Sequence, residues 1–240
     1  MRAVTITVQR SPTGLGVKPR FESYSLEVGE KASILDALFG LQRGPCPDLA
    51  FRFSCRVGMC GSCAMVVNGR ERLTCTTLIE AVGNRLKIEP LRNLPVVADL
   101  AVDLKPFFDA YQRALPQFIP RNDLKQDDFY LLPHGSPEWQ ELNHQPQCID
   151  CAACYSACTL VTLSPGYLGP MAQHRAANLI ADPRDQAPAR RLDLVTTESG
   201  AFRCHTLGNC QEFCPRGISP TRSIQRLKRL AIKRLFGGRI

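Results

Sequence analysis

Eleven of the twelve cysteines in this 240-residue chain fall into three blocks. Cys55, Cys60, Cys63 and Cys75 are spaced C-x4-C-x2-C-x11-C. Cys148, Cys151, Cys154 and Cys158 are spaced C-x2-C-x2-C-x3-C. Cys204, Cys210 and Cys214 are spaced C-x5-C-x3-C, and Pro215 follows. The first block opens like a plant-type 2Fe–2S motif, and the other two are forms of the bacterial ferredoxin run. Thiolates set at these intervals suit iron–sulfur clusters, whose chemistry is the movement of single electrons.

The third block lacks one cysteine. A full ferredoxin run would place it at Leu207, midway between Cys204 and Cys210. Leucine cannot ligate iron, so the expected product is a three-iron cluster held by three thiolates. In two-cluster ferredoxins the fourth cysteine of each run ligates the other cluster. That exchange assigns Cys148, Cys151, Cys154 and Cys214 to a 4Fe–4S centre, and Cys158, Cys204 and Cys210 to a 3Fe–4S centre. Cys46, between Pro45 and Pro47, is left over as a buried or idle thiol.

Two other uses of clustered cysteine compete. Disulfides need an oxidising compartment, and Met1-Arg2-Ala3-Val4-Thr5-Ile6 lacks the apolar core of a secretory signal. Zinc also takes C-x2-C pairs, but its sites usually draw two separated pairs rather than three or four cysteines from one short stretch. The residues between the first ligands favour a cluster. Gly58 and Gly61 tolerate the positive φ of a tight loop, and their N–H groups and the Ser62 hydroxyl are placed to donate to sulfur and raise its reduction potential.

The elements that must carry these loops change character along the chain. Val4, Ile6 and Val8 alternate as in a half-buried strand, and Leu26 and Val28 suggest a second. Ile34, Leu35, Leu38, Phe39 and Leu41 follow a helical period, with Ser33 and Asp36 as an N-terminal capping pair. After the cluster loop, Ala64-Met65-Val66-Val67 leads into the hairpin signal Asn68-Gly69. Leu73-Thr74-Cys75 is expected to begin the returning strand, and Leu86-Lys87-Ile88 reads as one more. The fold class is therefore α+β: a β-grasp, plant-type ferredoxin domain over 1–100, then a helical, bacterial ferredoxin-like domain over 101–240. Pro90 and Pro95 mark the change, and helices are expected near Pro106–Ala114, Met171–Ile180 and Ser223–Phe236.

The formal charge is +8, and Arg222, Arg226, Lys228, Arg229, Lys233, Arg234 and Arg239 supply seven of those charges with no acid among them. Ile224, Leu227, Leu230 and Leu235 run at helical spacing through the same stretch. A basic amphipathic helix suits a membrane surface or an acidic partner, or simply packs on its own domain with its charges solvated. No nucleic-acid motif accompanies the charge, so nucleic acid is not an expected partner. No run approaches eighteen apolar residues, so no membrane span is expected.

In this order the three cluster motifs resemble the iron–sulfur subunit of succinate dehydrogenase and fumarate reductase across essentially the whole chain. Phe53-Ser54-Cys55-Arg56, Leu168-Gly169-Pro170, Asp182-Pro183-Arg184-Asp185 and Phe202-Arg203-Cys204-His205 resemble that family's signatures too. The resemblance implies a partner flavoprotein, carrying covalent FAD, that interconverts succinate and fumarate. It also implies a quinone near the three-iron centre, with His205 and Lys228 at family positions close to quinone, and membrane anchor subunits against the C-terminal domain. No dicarboxylate chemistry is then expected on this chain. Its place would be peripheral, at the cytoplasmic face of the inner (plasma) membrane through those partners, since no Arg- and Ser-rich presequence is evident. Two residues depart from the family: Thr159 stands where proline is usual, and Leu163 where many succinate-oxidising members have tryptophan. Trp139, the chain's one tryptophan, lies elsewhere. Thiol-dependent fumarate reductases offer an alternative partner set, and a zinc-stabilised binding module is the non-redox rival.

Overall fold

Residues 1–11, 18–123, 131–143 and 147–238 are described by a computed structural model. They separate into two compact units, Met1–Lys105 with Ile149–Ala157, and Pro106–Cys148 with Cys158–Ile240.

The first unit is built on the alternation at its start. Strand β1 (Arg2–Arg10) buries Val4, Ile6 and Val8 and exposes the residues between them more. It pairs antiparallel with β2 (Arg20–Val28), with Val4 opposite Leu26 and Ile6 opposite Tyr24. Helix α1 (Ile34–Arg43) begins as its sequence demands. The Ser33 hydroxyl accepts the Asp36 N–H, and the Asp36 carboxylate accepts the Ser33 N–H at 2.9 Å. Its inner face, Ile34, Leu35, Ala37, Leu38 and Leu41, joins β1 in one core with Met65, Val67, Leu86 and Ile88.

Strands β3 (Ala64–Val67) and β4 (Arg70–Leu73) flank the Asn68-Gly69 turn, where both residues have positive φ. The returning strand thus ends at Leu73 instead of beginning there. Thr74 and Cys75 leave the ladder because the Thr74 N–H and hydroxyl are spent on the Cys63 carbonyl, at 3.2 and 3.0 Å. Strand β5 (Arg85–Glu89) lies parallel to β1 and antiparallel to β3, completing the order β2-β1-β5-β3-β4. That mixed five-stranded sheet with α1 across it is the β-grasp arrangement. A short ribbon, β6 (Val96–Ala98) with β7 (Ala101–Val102), follows.

The second unit is helical: α2 (Lys105–Arg113, which begins one residue before the division), α3 (Pro137–Leu142), α5 (Thr159–Leu163), α6 (Gly169–Ala181), α7 (Pro188–Val195), α8 (Asn209–Glu212) and α9 (Pro220–Leu235). The intervening α4 (Ala153–Ser156) belongs to the first unit. Ala172, Ala176 and Ala177 on α6 have little side chain to hold neighbours away, and Ile224 and Leu227 of α9 pack into the same core with Leu192 and Val195 of α7. Helix α9 starts three residues before the expected Ser223, because Ser219 caps it by accepting the Arg222 N–H at 3.2 Å and Pro220 fills its first position. Its early turns are packed, whereas Leu235 and Phe236 at its end are exposed. Several of its charges are paired: Arg226 with Glu141 at 2.8 Å, and Arg234 with Asp193 at 2.6 Å. Arg239 lies outside the described residues. No helix among the described residues is long and apolar enough to cross a membrane.

Candidate iron–sulfur sites

The first site is a loop without regular structure between α1 and β3. Its entry is fixed by aromatic packing: Phe53 meets Phe39 of α1 edge-on at 4.7 Å, and Phe51 lies 5.7 Å from Phe39. Its exit is fixed where Thr74 holds the Cys63 carbonyl. Between these anchors, Arg56, Gly58 and Gly61 all adopt positive φ, which turns successive amides inward. The N–H groups of Val57, Met59 and Cys60 point at the Cys55 sulfur, at 3.5, 3.3 and 3.3 Å, and the Cys55 N–H points at the Cys60 sulfur at 3.5 Å. Amides converging on thiol sulfur form an environment for negative charge, so the residues present suit a thiolate-held cluster.

The thiols differ accordingly. The Ser62 hydroxyl, then the Cys55 N–H, hold exposed Cys60 down to about 6. Burial, then the neighbouring Cys63 thiol, pushes Cys75 up to about 11. Gly61 has a further task. A Cβ there would stand 2.7 Å from the Cys151 Cβ and 2.9 Å from the Ile149 carbonyl oxygen, so the loop touches backbone of the second cysteine block.

That second block is attached by buried polar contacts. Ser156, in α4, donates to the Glu71 carboxylate of β4 at 2.8 Å, and its hydroxyl accepts the Arg92 N–H at 2.8 Å. Asn93 donates to the carbonyls of Tyr155 and Ser156. Asp150 and Ala152 have positive φ on either side of Cys151. Cys151 and Cys154 therefore lie in the first unit, while Cys148 and Cys214 lie in the second.

In the second unit Cys158, Cys204 and Cys210 share one environment. Burial raises the Cys158 and Cys210 thiols, and each of the two feels Cys204. The Thr221 hydroxyl of α9 lies 3.4 Å from the Cys210 sulfur, and the Thr206 N–H points at the Cys204 sulfur at 3.4 Å. Tyr167 is buried; burial, then the charges of Cys204 and Cys158, push its hydroxyl upward, against a side-chain hydrogen bond with Gln173. Three thiols that feel one another's charge, with the Thr221 hydroxyl and the Thr206 N–H at their sulfurs, form a donor set that fits a cluster as well. Among the described residues, no three His, Cys, Asp or Glu side chains close tightly enough to hold one metal ion.

The remaining sequence candidates are placed as follows. Lys228 is not a solvated charge: its ammonium donates to the Cys204 carbonyl at 2.7 Å. His205 is exposed on the same loop, as are Leu207 and Leu163. Thr159 takes the first position of α5, where proline is also tolerated, and the turn stays closed with the Val161 N–H on the Cys158 carbonyl at 3.1 Å. Cys46 is buried in the first core, its sulfur 2.8 Å from the Arg10 guanidinium. Sequence reasoning passed over Thr221, whose hydroxyl lies against the Cys210 sulfur.

A β-grasp ferredoxin fold, a helical unit and two ferredoxin-type cysteine runs define an iron–sulfur electron carrier. The family model of a 2Fe-2S iron-sulfur cluster binding domain matches residues 5–109, and that of a 4Fe-4S dicluster domain matches residues 145–218. The chain belongs to the family of iron–sulfur subunits of succinate dehydrogenase and fumarate reductase. It is 34% identical to succinate dehydrogenase [ubiquinone] iron-sulfur subunit 1, mitochondrial, of Oryza sativa, over 95% of this chain and 82% of the relative. It is 32% identical to the fumarate reductase iron-sulfur subunit of Mycobacterium tuberculosis, over 95% and 92%. Among solved structures, a chain of the Mycobacterium smegmatis Sdh1 complex in the apo form superposes with a TM-score of 0.87 at 28% identity, covering 98% of this chain and 97% of that one. Its work is electron transfer through iron–sulfur clusters as part of an oxidoreductase.

Proposed function

We propose that the chain relays single electrons between the FAD of a partner flavoprotein and a membrane quinone, docked on anchor subunits at the cytoplasmic face of the membrane. In this reading Cys55, Cys60, Cys63 and Cys75 hold a 2Fe–2S cluster. Cys148, Cys151, Cys154 and Cys214 hold a 4Fe–4S cluster, and Cys158, Cys204 and Cys210 hold a 3Fe–4S cluster. When bound, the clusters supply one-electron redox states that no side chain here can provide. The protein's share is to fix ligand number, to aim amide and hydroxyl donors at sulfur, and to exclude water. Lys228 and His205, on either side of the Cys204 loop, are the residues suited to the quinone end: Lys228 anchors the Cys204 carbonyl, and exposed His205 is free to meet a partner or quinone.

What most supports the reading is that Cys158, Cys204 and Cys210, the last buried and the others half-buried, feel one another's charge, with leucine at 207 where a fourth cysteine would complete the set. Low-temperature EPR on the anaerobically purified complex tests it. An oxidised three-iron signal is expected, followed by 2Fe–2S and 4Fe–4S signals on stepwise reduction. Cys210→Ala should abolish the first signal and quinone-linked turnover together. Normal quinone-linked turnover in that variant would sink the assigned path.

A further inference from the structure

Helix α9 meets the third cysteine block along a single stripe. Thr221, Gln225 and Lys228 stand at i, i+4 and i+7, so they share one face of the helix. All three reach the Cys204–Cys210 segment. The Thr221 hydroxyl lies 3.4 Å from the Cys210 sulfur and makes no other hydrogen bond among the described residues. The Gln225 amide donates to the Thr206 hydroxyl at 2.6 Å, and the Lys228 ammonium donates to the Cys204 carbonyl at 2.7 Å.

Thr206 is the residue that needs holding. Its φ is +62, in the left-handed region, where a β-branched side chain is an outlier. Relaxation to negative φ would carry its N–H away from where it now points, at the Cys204 sulfur, 3.4 Å distant. The bond from Gln225 ties Thr206 to the helix in this conformation. Helix α9 therefore addresses two of the three sulfurs, one directly and one through an amide held in a strained turn.

Resting on the three-iron reading, we propose that α9 sets the reduction potential of the cluster held by Cys158, Cys204 and Cys210. Thr221 donates its hydroxyl proton to the Cys210 sulfur, and Gln225 is a positioning residue that keeps the Thr206 N–H on the Cys204 sulfur. A donor to sulfur disperses the charge that arrives with the electron, so each of the two raises the potential.

The experiment is an EPR-monitored titration of the anaerobic complex with dithionite as reductant and the 2Fe–2S signal as internal reference. Thr221→Val removes the hydroxyl and keeps the branched shape. The three-iron midpoint is expected to fall by a roughly tenfold change in the one-electron equilibrium, ~59 mV, while Thr221→Ser, which retains the hydroxyl, holds it. Gln225→Leu should lower the midpoint as well. In a Thr206→Gly background the same change at 225 should lose its effect, because glycine occupies positive φ without a clamp. Gln225 is half-buried and ligates nothing, so its variants decide the matter where Thr221→Val loses its cluster. A midpoint that moves in one variant alone assigns the tuning to that residue and overturns the other's part. A three-iron midpoint unmoved in both overturns the inference and leaves the cluster reading standing. A wild-type complex without any three-iron signal overturns both.

Discussion

Gly61 is the position where the loop around the first site and the second cysteine block touch, and a single methyl group tests that contact. Gly61→Ala carries two penalties. The residue sits at φ +72, and a left-handed backbone costs an L-residue roughly 1–2 kcal/mol. The added Cβ would also lie 2.7 Å from the Cys151 Cβ and 2.8 Å from its Cα, closer than carbon atoms approach. Backbone rather than a flexible side-chain tip is in the way, so relief requires movement of one segment, about 1–3 kcal/mol for such overpacking. Gly69→Ala isolates the first penalty, because Gly69 has φ +79 with nothing within 4 Å of its Cβ position. Thermal unfolding of the anaerobic protein, followed by visible absorption and circular dichroism, reads the difference. At roughly 2–4 °C per kcal/mol for a chain of this size, Gly61→Ala should melt roughly 2–12 °C below Gly69→Ala. It should also hold less iron per chain, since the segment pushed aside carries Cys151. Equal melting temperatures with full iron in both variants would refute the close approach.

Two other expectations test each unit separately. In the cluster-free protein, thiolates alone react with iodoacetamide, so residue-resolved alkylation of Cys60 should rise through a midpoint near about 6 and that of Cys75 near about 11. Ser62→Ala should move the Cys60 profile upward; coincident profiles for the two cysteines would contradict the loop geometry. In the helical unit, fully buried Arg191 pairs with Asp185 and donates to the carbonyls of Leu115 and Gln117, at 2.9 and 2.5 Å. Arg191→Ala leaves the buried Asp185 charge without its cation and should cost about 3–5 kcal/mol in chemical denaturation, whereas a loss below 1 kcal/mol would show that the pair is dispensable.

What the sequence disclosed was local, and what it hid was long-range. The alternation of Val4, Ile6 and Val8, the Ser33–Asp36 cap and the Asn68-Gly69 turn are each set by neighbours a few residues apart, and each was legible. Cysteine spacing was legible for the same reason, since the cluster-binding loops are short. The attachment of Ile149–Ala157 to the first unit was not. It depends on Ser156 meeting Glu71, 85 residues earlier, and on the absence of a side chain at Gly61. No periodicity announces a polar contact across that separation. The short helices α4, α5 and α8 were hidden because four or five residues carry too little pattern, and the return strand was misplaced because Thr74 serves the Cys63 carbonyl rather than a ladder.

The Cys55–Cys63 loop and the group around Cys158, Cys204 and Cys210 meet the charge on sulfur differently. In the Cys55–Cys63 loop three backbone amides face the Cys55 sulfur, and the exposed Cys60 thiol is held down by the Ser62 hydroxyl and the Cys55 N–H. Around Cys158, Cys204 and Cys210 burial counts for more: it raises the Cys158 and Cys210 thiols, against the N–H groups of Leu160 and Val161 at Cys158 and the Thr221 hydroxyl at Cys210. Burial alone would make an incoming electron harder to accept, because the reduced cluster carries more negative charge in a less polar place. On the proposed assignment, three thiolates in place of four would remove one negative charge at the outset, and each donor would lower the remaining cost. Leucine at 207 and the Thr221 hydroxyl beside Cys210 would then act in the same direction. Together they would let a buried centre sit at a higher potential than its burial alone dictates.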